Sequence, residues 1–191
     1  MKKRDNIIRT ATRLFAEQGF AATTTIQIAS EANVTEPLLY YHFEGKDELF
    51  THIVQRAFDR YLSCLDRLDG KDTTSFGRIE GLISACFQMV DDIPLESYLL
   101  SRTCPSRLKD PEKICVTCIV KRRKWLETYI RNALKTGVDS GEFVSVPLKA
   151  TVNLLIATLN GIIRQFCIGN ESTRGMKQTT TDFFRRSLLA R

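Results

Sequence analysis

The sequence predicts an all-α fold of about nine helices. Three observations carry that expectation. Apolar residues recur at three- and four-residue spacing along most of the chain, the period of a helix with one buried face. No segment shows the apolar–polar alternation of a strand. Threonine, glycine, asparagine and proline stand at intervals where helices begin and end.

Residues 3–18 place Ile7, Ile8, Ala11, Leu14 and Phe15 on one face. Gly19 is the expected stop, with Phe15 and Phe20 at the positions that touch in a Schellman ending. Thr25 is expected to cap a second helix that turns Ile28, Ala29 and Ala32 inward. Asn33 falls at a tight turn, where a left-handed residue is needed and asparagine is tolerated. Val34 fills the corner. Thr35 caps a short third helix, with Glu36 at its positive end, Pro37 in its first turn and Phe43 closing it. After Gly45, a helix of about 46–68 carries a stripe from Leu49 to Leu65. Polar residues 69–75 read as a loop. Helices of about 76–92 and 95–103 follow, then a break at 104–111 with Pro105 and Pro111. A helix of about 112–136, a loop from Gly137 to Val146, and helices of about 147–168 and 173–189 end the chain.

A length of 191 residues suits one or two small domains with a real core. No apolar run reaches the roughly 18 residues of a membrane span, and no apolar segment follows Lys2-Lys3-Arg4 as in a signal peptide. A cytoplasmic protein without membrane contact is therefore expected. The six cysteines then read as reduced thiols. Cys115 and Cys118 have metal-like spacing, but no second ligand pair accompanies them, so no metal and no cofactor are expected. Residues 1–50 carry six basic side chains against seven acidic ones, so the net charge of +6 resides in the remainder.

The stretch from Thr23 to Phe50 concentrates the chemistry. Two short helices joined by a tight turn form the device that lays one helix in a DNA major groove. Ile28, Ala29, Ala32, Val34, Leu39 and Phe43 supply the buried set. Thr35, Glu36, Pro37, Leu38, Tyr41 and His42 remain for the groove, and Thr25, Tyr40, His42 and Lys46 are placed to reach phosphates. Glu36 is suited to accept from cytosine N4, and Leu38 and Tyr41 to pack on thymine methyls. Between Thr25 and Phe43 there is no Lys or Arg, so the common bidentate contact to guanine is missing. The Lys2-Lys3-Arg4 arm is expected to lie along the DNA backbone or enter a minor groove.

These residues carry a resemblance. Ile28-Ala29, Ala32, Val34-Thr35, Leu39-Tyr40-Tyr41-His42-Phe43, Lys46 and Leu49 resemble the DNA-binding motif of the TetR family of transcriptional regulators, over about 50 residues. Asn33 stands where glycine is usual. The resemblance implies a helix-turn-helix domain (1–48) followed by a larger helical effector-binding and dimerisation domain (49–191). It implies a repressor released from double-stranded operator DNA by a small molecule. Candidate pocket residues are Phe87, Met89, Tyr98, Trp125, Tyr129 and Phe166, suited to a largely apolar effector. The basic excess of the larger domain favours a neutral or anionic one. The last two helices are expected to form a homodimer through Leu155, Leu159, Ile163, Phe184 and Leu188. The alternative is a DNA-binding protein of the same fold that answers to a protein partner and has no small-molecule effector. An enzyme is not expected: paired acids, a Ser-His-Asp set and a phosphate-binding glycine loop are all missing, and the two histidines lie in or beside the DNA-binding segment.

Overall fold

In the computed structural model the described residues are 3–66, 74–101, 114–169, 173 and 175–190. Among them are nine helices: α1 (Lys3–Glu17), α2 (Thr25–Glu31), α3 (Glu36–His42), α4 (Lys46–Asp66), α5 (Ser75–Asp92), α6 (Pro94–Ser101), α7 (Ile114–Asp139), α8 (Leu148–Gly169) and α9 (Met176–Leu188). The expected all-α order is present. The only extended pairing among the described residues is an isolated antiparallel bridge between Phe143 and Leu189. No helix among these residues is long and apolar enough to cross a membrane. Of the loop expected at 69–75, residues 69–73 lie outside the described residues, while Thr74 and Ser75 cap and begin α5. The loop expected at 104–111 and the side chains of Cys104, Cys115 and Cys118 also lie outside them.

The chain divides into two compact units: Met1–Phe58 with Leu95–Lys121, and Asp59–Pro94 with Arg122–Arg191. Both are discontinuous in sequence, a feature that a division along the chain into 1–48 and 49–191 does not express.

In the first unit α1 packs against α2 and α3. The apolar stripes close on one another: Ile7, Ala11, Phe15, Ile28, Leu39, Leu49 and Ile53 are fully buried. Burial of each large side chain contributes roughly 1.5–3 kcal/mol. Three rings anchor the centre. Phe15, Phe20 and Phe50 meet pairwise at 5.3–5.5 Å between centroids, two of the three pairs edge to face. Gly19 has a φ of +85°, so the chain reverses there and brings Phe20 back onto Phe15 as the sequence implies.

In the second unit α5 packs against α8 and α9. Ile79, Leu82, Ile83, Phe87, Leu155, Leu159, Phe184 and Leu188 form the core. The segment Ser140-Gly141-Glu142-Phe143 joins three helices. The Glu142 carboxylate accepts from the backbone N–H groups of Ser75 (2.9 Å) and Phe76 (2.8 Å), two of the donors that the start of α5 leaves without helical partners. Thr74 caps the same helix by accepting from the N–H of Gly77. On the other side the Val144 N–H donates to the Leu188 carbonyl, and the Ala190 N–H donates to that of Glu142.

One boundary differs instructively from expectation. α7 does not stop at Gly137; it runs on to Asp139. The glycine serves tertiary packing. A Cβ at residue 137 would lie 2.2 Å from the buried ring of Phe143, well inside van der Waals contact. The absent side chain is the notch that seats Phe143. Gly137→Ala should therefore destabilise the protein by about 1–3 kcal/mol through overpacking, despite alanine's better helix propensity. Chemical denaturation of the two proteins checks this; equal or higher stability of the alanine variant contradicts the notch.

Candidate nucleic-acid interface

Three consecutive threonines set up the α2–α3 pair, and each has a separate task. The Thr23 hydroxyl is buried and donates to the Gly19 carbonyl at 2.8 Å. Thr24, not Thr25, is the cap of α2: it is extended and its side chain accepts from the Gln27 N–H at 3.1 Å. Thr25 is thereby released to face α3. Its hydroxyl donates to Glu36 Oε1 at 3.0 Å and lies 3.3 Å from the Tyr40 hydroxyl.

The turn between α2 and α3 is a Schellman motif. The Asn33 N–H donates to the Ser30 carbonyl (3.1 Å), and the Val34 N–H donates to that of Ala29 (3.0 Å). Asn33 carries a φ of +54°, the left-handed conformation expected at this position. Val34 is half-buried, so the corner it fills is open on one side. Thr35 occupies the cap position of α3 without making a side-chain cap bond, and Pro37 stands in the first turn. Leu39 and Phe43 are buried and fix the inner face.

What remains outward is a ridge. Tyr41 is 81 % exposed and Tyr40 50 %. Thr35 and Pro37 are exposed, and Glu36, Leu38 and His42 are half-buried. The ring of His42 meets that of Tyr41 edge-on at 5.1 Å. The residues expected at the groove thus all keep some exposure, while Thr25 lies half-buried between the two helices. Ile26, which the sequence reading did not single out, is 66 % exposed at the start of α2. The available signal was its place off the inward 28-29-32 pattern.

The cations of this unit make contacts within the fold. Lys46 Nζ donates to the carbonyls of Phe20 (2.9 Å) and Thr23 (2.7 Å) and lies 4.6 Å from the centre of the Phe20 ring. Its ammonium ties the start of α4 to the loop before α2. Lys3 and Arg4 form no extended arm, because α1 begins at Lys3. The Arg4 guanidinium lies over the Phe43 ring at 5.1 Å and donates to His52 Nε2 at 3.3 Å. Arg13 pairs with Glu17 and Glu31, and Glu31 also accepts from Gln27, so α1 is stitched to α2 along an exposed edge. The hydrogen bond to Glu31 is the main cause that raises the Arg13 pKa and lowers that of Glu31.

His52 is held neutral. Burial, assisted by the charges of Arg4 and Arg56 and opposed by Glu48, lowers its pKa below the ordinary 6.5. Accepting from Arg4 requires Nε2 to be unprotonated. The unfolded chain takes up this proton more readily, so the unit should lose stability as pH falls below about 6.5. Unfolding midpoints at about pH 7.5 and about pH 5.5 should differ more for the wild type than for His52→Gln, which keeps an acceptor and cannot titrate. An equal difference in the two proteins contradicts the assignment.

The turn makes its own prediction. Asn33→Ala should cost about 1 kcal/mol, because alanine resists the left-handed conformation, while Asn33→Gly should be neutral or stabilising. Urea unfolding of the three proteins gives the ranking; alanine equal to asparagine contradicts it.

Among the described residues no three His, Cys, Asp or Glu side chains converge as metal ligands would. Of the candidate pocket residues, Phe87, Met89 and Phe166 are buried, with the two rings 6.4 Å apart, and Trp125 stacks on Tyr129 at 5.1 Å, both half-exposed. Tyr98 belongs to the other compact unit. Leu155, Leu159, Ile163, Phe184 and Leu188 are all buried within the protomer itself. On the same two helices, Leu154, Ala157, Gly161 and Phe183 are exposed.

Residues 7–53 match the family described as "Bacterial regulatory proteins, tetR family". The biofilm operon icaADBC HTH-type negative transcriptional regulator IcaR of Staphylococcus epidermidis is 32 % identical over 96 residues, 50 % of this chain and 49 % of that protein. The HTH-type transcriptional repressor KstR2 of Mycolicibacterium smegmatis is 29 % identical over 93 residues, 47 % of this chain and 43 % of that protein. The chain spans about half the length of the curated relatives it matches. Solved structures extend the likeness of fold. The ketosteroid transcriptional regulator KstR2 of Mycobacterium tuberculosis aligns with a TM-score of 0.88 at 19 % identity, covering 100 % of this chain and 96 % of that one. The TetR family regulator PfmR of Thermus thermophilus aligns at 0.80 and 21 % identity, covering 100 % and 99 %.

Proposed function

We propose that the chain is a cytoplasmic DNA-binding transcriptional repressor, dimeric and released from its operator by a small molecule, a reading supported by the match of residues 7–53 to the tetR family of bacterial regulatory proteins. The observation that carries the reading is the α2–α3 pair. A Schellman turn at Asn33 and the inward anchors Leu39 and Phe43 hold a short helix with Tyr40 and Tyr41 outward, the form that enters a major groove. Two curated relatives are named for negative regulation or repression, which supports the sign of the effect.

The reading includes a homodimer, whose two recognition helices, related by a two-fold axis, would read half-sites in mirrored order. The exposed residues Leu154, Ala157 and Gly161 of α8 and Phe183 of α9 are the apolar surface for a partner helix, in place of the five interior residues named from sequence. At Gly161 a Cβ would meet nothing within 4 Å, so the protomer itself does not require glycine there. The effector is a largely apolar molecule, neutral or anionic, with Phe87, Met89, Trp125, Tyr129 and Phe166 as its candidate neighbours.

The test joins both halves. A random duplex pool should yield an enriched, roughly palindromic site that the protein shifts on a gel. Light scattering should give near twice 21.8 kDa. The double variant Leu154→Glu with Phe183→Glu should be a folded monomer with at least about tenfold weaker operator binding, whereas Phe184→Glu should fail to fold, since a charge there is buried. A pool without enrichment overturns the DNA reading. A double variant that stays dimeric overturns the interface.

A further inference from the structure

We infer that Ile26 is a specificity-determining residue of the proposed DNA interface, and that it takes the C5-methyl group of a thymine in the operator half-site. The inference rests on the DNA-binding reading and names the chemistry of that same surface. Exposed isoleucines scattered singly need no explanation. This one is not scattered. Among the described residues seven large apolar side chains are exposed, and three of them, Ile26, Tyr40 and Tyr41, fall within the helix pair.

Its neighbours limit what it can do. Thr25, immediately before it, bonds to Glu36 and lies against the Tyr40 hydroxyl, so the start of α2 abuts the outward ridge of α3. Gln27, immediately after it, is drawn towards α1: it accepts from Gln18 at 2.7 Å and donates to Glu31 at 3.1 Å. Ile28 and Ala29 are buried. Ile26 is the first-turn side chain of α2 that is left exposed.

The charged alternatives on this surface are few or engaged. Glu36 already accepts from Thr25. No Lys or Arg lies between Thr25 and Phe43, and Lys46 donates to two carbonyls of its own chain. A surface of this composition lacks the cations that recognise guanine. In the major groove the one apolar group offered by any base is the thymine methyl. In a helix-turn-helix the first helix of the pair crosses the DNA backbone while the second lies in the groove. A branched alkyl group at the start of that first helix therefore belongs at the groove rim, where it adds an apolar reader outside the recognition helix.

The experiment uses the full-length dimer and the duplex that the wild type enriches from a random pool. Each thymine is replaced in turn by deoxyuridine, which differs only by the methyl group. The wild type should lose about fourfold in affinity at each methyl it reads, the worth of one buried carbon. Ile26→Ala, which removes the contact in both half-sites, should lose roughly sixteenfold on the unmodified duplex and become indifferent to deoxyuridine at one symmetry-related pair of positions, while keeping its sensitivity at the others. Ile26→Val should restore the response. A melting curve of Ile26→Ala matching the wild type excludes misfolding, as the side chain is mostly in water. If Ile26→Ala and the wild type show the same deoxyuridine profile at every position, Ile26 reads no methyl and the inference is overturned. A pool from which the wild type enriches nothing overturns the DNA-binding reading, and this inference with it.

Discussion

The ammonium of Lys46 lies between two carbonyls, those of Phe20 and Thr23, that belong to the loop between α1 and α2 and lie outside any helix. Charge-assisted bonds of this kind are each worth about 1.5–3 kcal/mol, more than a neutral pair. The same group rests on the Phe20 ring, which stacks into the Phe15–Phe50 cluster at the centre of the unit. One side chain at the start of α4 thus fixes the loop that launches α2. Through the Thr25–Glu36 bond and the Schellman turn, α2 in turn fixes α3. The outward ridge of Tyr40 and Tyr41 is the last member of this series, and its orientation depends on every earlier one.

Much of this was legible in the sequence because it follows from backbone chemistry. Asn33 had to be left-handed if α2 and α3 were to meet, and Gly19 had to reverse the chain if Phe15 and Phe20 were to touch. Inward-facing positions were legible too, since Ile28, Ala29, Leu39 and Phe43 obey helical periodicity. Choices among equivalent groups were not. Thr23, Thr24 and Thr25 are chemically identical, and only the path of the chain assigns burial to one, capping to the next and the α3 contact to the third.

Two further differences share a cause. Gly137 reads locally as a helix stop, yet its neighbour in space, Phe143, makes it an interior residue of α7. Leu155, Ile163 and Phe184 read as a broad apolar face, but periodicity reports only that a residue is shielded and not by which chain. In both, a long-range contact decides between meanings that the local pattern leaves equal. The cations of the first unit follow the same rule: Arg4 and Lys46 look from sequence like phosphate ligands, and each finds a partner within its own fold.

That inward use of charge bears on how such a protein would find its target. Non-specific attachment to DNA is almost wholly a matter of counterion release by cations facing phosphates. With six basic against seven acidic side chains in residues 1–50, this reading head would gain little from a random stretch of chromosome. It would spend less time sliding along the wrong sequence and more time free in solution, arriving at its site by repeated collision. Fewer molecules would then be held on competing DNA, so a low copy number could keep the operator occupied.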